Sequence, residues 1–166
     1  MARRRFGSRG AEVYEALRRL FDTLWVAALV EGGYAFLHGG APVGLASLEQ
    51  LARADEEHPR SDVLEQVLWN DPVDWITDSA PSPRGAGRVF GKRVTESFLS
   101  LTRTGVLIRA HEPCDEGVEV RHEGLVLTLF SRKGFPYMNT KAAYLKLSLE
   151  DAPLNAYQLA SRAVKF

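Results

Sequence analysis

Cys114 is the only cysteine among 166 residues, which excludes an internal disulfide and any metal cage built from thiolates. A metal ion, if one binds, has to take histidine, aspartate or asparagine. No apolar run approaches the ~20 residues that cross a bilayer, and Arg3 to Arg5 lead into no apolar core with a small-residue cleavage site. These absences predict a cytoplasmic protein with no membrane role. Net charge is also missing, since 21 Lys and Arg balance 21 Asp and Glu. The balance conceals a gradient: the first twenty residues hold six arginines against two glutamates, and Glu31 to Asp74 holds nine acids against two arginines. A basic head can release counterions from nucleic acid. Aromatic interleaving and any nucleic-acid motif are absent, however, so no nucleic-acid partner is expected. No repeat of fixed period occurs.

What is present is an ordinary globular composition, 45% hydrophobic and 25% charged, at a length suited to one domain. Residues 1–10 read as a basic arm. Val13, Leu17, Leu20, Phe21 and Leu24 recur at helical spacing and predict an amphipathic helix running to about Val30. Glu31-Gly32-Gly33 ends it, and Tyr34 to Leu37 reads as a short buried strand leading into His38-Gly39-Gly40. Ser47 is a candidate N-cap for a helix over Leu48 to Ala54, with Gln50 in capping-box position. Ser61 starts another helix, Asp62 to Trp69.

Pro72, Pro81 and Pro83 with Gly85, Gly87 and Gly91 predict a single long loop from Asn70 to Gly91, kept in order by burial of Trp69 and Trp75. A helix over Val94 to Leu101 is terminated by Gly105. Val106 to Ile108 is then a buried strand ending at Arg109-Ala110-His111. Gly117 to Arg121 and Leu125 to Phe130 are two strands joined at His122-Glu123-Gly124 as a hairpin. Ala142 to Leu149 is a candidate last strand, and residues 151–166 read as a tail.

Two histidines, His38 and His111, each follow an apolar strand and sit among small residues. Neutral imidazole is a common metal ligand, and strand ends hold it rigidly; a core or surface histidine is the alternative for each. Ser82-Pro83-Arg84-Gly85-Ala86-Gly87 places an arginine where backbone can approach a ligand, and a guanidinium fork matches two phosphate oxygens. The alternative there is an exposed turn arginine. Gly85-Ala86-Gly87 lacks the strand and the acid of a dinucleotide fingerprint. His58, in a charged loop, and His122, in the hairpin turn, are expected to be exposed and without a direct role. Burial is expected for Cys114. Asp71 and Asp115 are candidates to orient Arg84 or the histidines.

The order of these blocks carries a resemblance. A strand ending in His38-Gly39-Gly40, then Leu68-Trp69-Asn70-Asp71-Pro72, Ser82 to Gly87 with Phe90-Gly91, Ile108-Arg109-Ala110-His111, Asp115-Glu116-Gly117 and Val126 to Ser131 resembles the second half of a metal-dependent serine/threonine phosphoprotein phosphatase. The likeness runs from about Val13 to Leu147. It implies an α/β fold, the C-terminal half of a metallophosphoesterase β-sandwich with two mixed sheets flanked by helices, spanning residues 11–150. By the same resemblance His38 and His111 are metal ligands, and Arg84 binds the substrate phosphate. Two divalent ions, manganese, iron or zinc, would activate water for attack on phosphorus.

The family's Gly-Asp-x-His-Gly, Gly-Asp-x-x-Asp-Arg-Gly and Gly-Asn-His-Glu motifs do not occur here, so the acidic ligands and the general acid have to come from elsewhere. The chain is therefore expected to bind metal poorly alone, and to act on phosphoproteins with an N-terminal half chain or as a homo-oligomer. Ser131 to Phe135 departs from the family's Ser-Ala-Pro-Asn-Tyr, with Phe135 in place of the tyrosine. A non-catalytic relic or binding module is the second reading. A diadenosine tetraphosphate-type hydrolase is the third, and the Arg84 block argues against it.

Overall fold

The structure is a computed structural model that describes residues 2–166. In chain order it begins with helices α1 (Ala2–Phe6) and α2 (Gly10–Phe21), then strands β1 (Ala28–Leu29) and β2 (Tyr34–Phe36). Helices α3 (Leu48–Ala52), α4 (Ala54–Glu57) and α5 (Val63–Trp69) lead to strands β3 (Asp71–Pro72), β4 (Ser79–Pro81) and β5 (Arg88–Phe90). Helix α6 (Lys92–Thr102) precedes β6 (Val106–Arg109), β7 (Val118–Arg121), β8 (Val126–Leu129) and β9 (Ala143–Tyr144), and α7 (Ala156–Arg162) and β10 (Val164–Lys165) end the chain.

The central sheet has the order β1-β2-β6-β8-β7. Its middle strands β2, β6 and β8 are parallel, while β1 and β7 join antiparallel at the edges. Near-continuous apolar strands suit a sheet buried on both faces, and the strand period of two sorts their side chains. Ala35, Leu107 and Val126 pack on one face with Leu51, Val67, Phe90, Phe98 and Leu99 from the helices and β5. Tyr34, Val106, Ile108 and Leu127 pack on the other with Ala156 and Leu159 of α7. Because β2, β6 and β8 run the same way, His38, His111 and Ser131 emerge together at their carboxyl ends. Open α/β sheets bind ligands at that edge.

Several expectations are corrected. Helix α2 stops at Phe21 rather than near Val30, because Val26 and Ala27 pack against the core and Ala28–Leu29 pairs with β2. Here tertiary pairing outweighs the helical periodicity. The stretch Asn70 to Gly91 is not one loop: it folds into a small sheet in the order β3-β5-β4. Pro72 and Pro81 lie on its outer strands, where a missing N–H costs least. Trp75 is 71% exposed and Trp69 is also exposed, so neither tryptophan is the anchor of this segment.

Of the expected basic arm over residues 1–10, the described residues 2–10 form helix and a 3-10 turn rather than a loose arm. Of the strand expected over Ala142 to Leu149, only Ala143–Tyr144 forms, paired with Val164–Lys165. Residues 151–166 are therefore no tail. Asn155 and Gln158 form a reciprocal capping box at the start of α7, and Ala156 and Leu159 are fully buried. Burying a leucine side chain stabilises by about 2 kcal/mol, which fastens this segment to the sheet. Ser47 caps α3 as expected, accepting from Gln50 N; the Gln50 side chain reaches back to Ala46 N rather than to Ser47. Among the described residues no helix is long and apolar enough to cross a membrane.

Candidate functional site

Backbone pairing carries the sheet up to the site. Leu37 N donates to Ile108 O at 3.2 Å, and Ala110 N donates to His38 O at 3.0 Å. Gly39 follows because a Cβ there would stand 2.6 Å from the Leu68 carbonyl carbon, and its N–H donates to Val67 O. His111 takes a left-handed backbone, φ 68°, which costs a non-glycine residue on the order of 1 kcal/mol or more. The turn aims its ring back at His38. His111 Nδ1 and His38 Nε2 stand 3.3 Å apart, with the rings edge to face. The Trp69 indole closes the other side of His111, ring centroids 5.3 Å apart.

Arg84 arrives from the turn between β4 and β5. Its Nη1 lies 3.0 Å from His111 Nε2, and its Nη2 reaches Asp71 Oδ2 at 3.1 Å and Glu112 Oε1 at 3.3 Å. The three residues expected from the sequence, His38, His111 and Arg84, are thus brought together.

Sequence reasoning missed the group beneath them. Arg109 has no exposed side-chain surface, and it donates to Asp71 Oδ1 at 2.9 Å, Glu112 Oε2 at 2.7 Å, Asn70 O at 3.2 Å and Gly39 O. Asp71 and Glu112 each bridge the two arginines. Unpaired, any one of these charges would be costly to bury; alternating, they close on one another. Asp71 thus has the orienting place expected of it. Asp115 does not: it accepts from Thr140 N and holds the loop after β8. An arginine inside an apolar strand run, as in Val106 to Arg109, was the available signal, since such a side chain has to find acids.

His122 is also corrected, being 2% exposed. It accepts or donates at Thr95 Oγ1 (2.8 Å) and Val73 O (3.0 Å), and its backbone N–H donates to Asp74. These bonds tie the small sheet to the central one. His58 is exposed as expected, and burial pushes the Cys114 thiol up to about 12, so it is no nucleophile.

Burial lowers His38 and, more strongly, His111, to about 4, with Asp71 opposing and Arg109 and Arg84 assisting in the latter. Both rings are therefore neutral near pH 7 and keep a lone pair for an ion. The facing nitrogens fit one cation between them, because two N–metal bonds of about 2.0–2.1 Å span their separation. The remaining donors do not complete a two-ion site: among the described residues no group of three or more His, Cys, Asp or Glu side chains is placed to hold a metal. One ring state also matters. Arg84 can donate to His111 Nε2 only when the proton is on Nδ1, whereas an ion on Nδ1 requires it on Nε2, which lies 4.0 Å from Asp71 Oδ1.

Known proteins resemble this chain in sequence and in fold. A probable serine/threonine-protein phosphatase of Encephalitozoon cuniculi is 31% identical across 99% of this chain and 37% of its own length. The serine/threonine-protein phosphatase 6 catalytic subunit of Caenorhabditis elegans is 32% identical over 79% of the chain and 40% of that subunit. A solved Saccharomyces cerevisiae protein serine/threonine phosphatase, similar to human phosphatase PP5, superimposes with TM-score 0.71 at 25% identity, covering 86% of this chain and 44% of that one. The chain thus spans less than half the length of these proteins. The calcineurin-like phosphoesterase profile matches residues 2–115, more than half of the sequence, and the chain belongs to that family.

Proposed function

We propose that this chain supplies part of the site of a metal-dependent phosphatase acting on phosphate monoesters, with phosphoserine or phosphothreonine proteins as substrates. The observation that carries the proposal is the convergence of His38 and His111, at the carboxyl ends of the adjacent parallel strands β2 and β6, with Arg84 from the turn between β4 and β5. His38 Nε2 and His111 Nδ1 would hold one of two divalent ions, manganese, iron or zinc. Bound there, the ions would lower the pKa of a water and offset charge on the phosphoryl oxygens.

The rest of the work falls to the chain's own residues. Arg84 presents two donors to phosphate oxygens. Asp71 and Glu112 hold its guanidinium by Nη2, and Arg84 lines the cavity beside His38 and His111. Arg109 donates to both acids and holds them in place. Burial of the two imidazoles keeps them neutral, the ligating state. Carboxylate ligands and a general acid come from a second polypeptide or segment, an N-terminal half of the fold or another copy, in a cytoplasmic complex.

The test is phosphopeptide hydrolysis with Mn²⁺, by the chain alone and with a polypeptide bearing the three motifs it lacks. The chain alone is expected to show negligible turnover. The complex should turn over, and H38A and H111A should each lose metal and activity together. R84K should cut kcat/KM by roughly tenfold or more while metal content stays unchanged. Metal lost with Arg84, or full activity without it, removes the phosphate role. The lack of a third metal donor among the described residues favours the second reading, a non-catalytic phosphate-binding module; it prevails if no complex turns over while the chain still binds phosphopeptide.

A further inference from the structure

A cavity of about 640 Å³ opens over the site, lined by His38, Arg84 and His111 on one side and by Phe130, Arg132 and Tyr137 on the other. The second wall comes from the loop after β8, where this sequence departs from the family pattern. Phe135, in the family's tyrosine position, is 83% exposed and does not line the cavity. Tyr137, two residues on, does. Its ring meets Phe130 edge to face at 5.0 Å, and the Arg132 guanidinium lies over it, 5.7 Å from the centroid.

The loop is held in this form. Asn139 Nδ2 donates to Arg132 O and Lys141 O, each at 2.7 Å, and Thr140 N donates to Asp115 Oδ1 at 3.0 Å. Arg132 Nη2 donates to Phe135 O at 3.1 Å, which uses one of its five N–H groups. Among the described residues no carboxylate lies within ion-pair reach of Arg132, whereas Arg84 in the opposite wall has two. A cation stacked on an aromatic ring, with donors to spare and no acid of its own, suits an anion brought by a ligand.

We infer that Arg132, seated on Tyr137, forms a second anion subsite that selects phosphopeptides carrying a further negative group, a carboxylate or another phosphate, beside the phosphoresidue held at Arg84. The subsite rests on the phosphate role proposed above for Arg84. Arg132 and Tyr137 determine specificity and touch no reacting atom. The ring is the support, so the Tyr137 hydroxyl is dispensable to this role.

The test is a titration of the isotope-labelled chain, followed by amide and arginine Nε resonances, with three peptides. One carries a single phosphoserine with neutral flanks, one adds an adjacent aspartate, and one adds a second phosphoserine. Either added anion should tighten binding by about two- to fivefold at low ionic strength, as expected for an exposed ion pair, with the Arg132 Nε resonance shifting. The gain should vanish in R132A and Y137A and persist in Y137F and in K133A, whose lysine lies outside the cavity lining. A gain that survives R132A, or that K133A removes equally, overturns the subsite, since the effect would then belong to the general field of the loop. Gain from the second phosphate but not from aspartate restricts the ligand to doubly phosphorylated peptide. R84A should weaken all three peptides. If it binds the singly phosphorylated one like the wild type, the phosphate role of Arg84 fails, and that outcome is separate from any result at Arg132.

Discussion

The carboxyl end of the central sheet and helix α2 both arise from strongly patterned sequence, and they end in opposite conditions. At the sheet end, Arg84, Arg109, Asp71 and Glu112 satisfy one another within one cluster. On α2 and the turn after it, Tyr14, Leu17, Leu20, Phe21 and Leu24 are all exposed, Trp25 reaches 92%, and Gly10 is the only buried residue of the helix. A buried charge has to be partnered where it is buried, so a polar cluster closes within the chain. An apolar stripe specifies only that something should cover it. Stability should therefore be concentrated at the sheet and nearly absent from α2.

The largest effect is expected from Arg109. Arg109→Ala removes the fully buried cation and leaves buried Asp71 and half-buried Glu112 only the partly exposed Arg84, and about 3–5 kcal/mol should be lost, read as a lower midpoint in urea unfolding. Arg109→Lys should recover only part of this, because one ammonium cannot reach two acids and two carbonyls. A loss below about 1 kcal/mol for the alanine variant would show that the cluster is solvated and the contrast with α2 is false.

Next is Leu159→Ala in α7, which removes a fully buried side chain from the far face of the sheet and should cost about 2–5 kcal/mol. The same measurement sets the boundary of the stable region: a negligible loss would make residues 151–166 the tail that the sequence suggested.

The pH response should follow the sheet as well. His38, His111 and His122 are all lowered by burial. The unfolded chain therefore binds more protons below its histidine pKa of about 6.5, and stability falls with falling pH. The loss should begin near pH 6.5 and continue toward the folded value of His111, about 4, amounting to at least about 1 kcal/mol by pH 5. His122→Gln should flatten the slope, as judged by unfolding midpoints at a series of pH values. A slope of opposite sign would mean that these rings gain acidic partners on folding.

The smallest effect is expected on α2. Leu17→Ser and Phe21→Ser should each change stability by no more than about 0.5 kcal/mol, while reducing self-association in sedimentation. Losses above 1–2 kcal/mol would show that the chain covers this face in solution, and the comparison would fail at that end.

The amino-acid order alone made the strand-histidine units, the order of blocks around them and the caps at Ser47 legible, because apolar runs, turn residues and short-range hydrogen bonds act over a few positions. It named His38, His111 and Arg84 as candidates through the resemblance those blocks carry. It could not show that Arg109 lies under them, since its partners Asp71 and Gly39 are 38 and 70 residues away. It misplaced His122, whose turn-like neighbours say nothing of Val73 and Thr95 closing around the ring. It also read the strands of Asn70 to Gly91 as loop and α7 as tail. Short strands and one-turn contacts have too little local preference to declare themselves; their pairing partners lie elsewhere in the chain, and only burial against those partners gives them a fixed conformation.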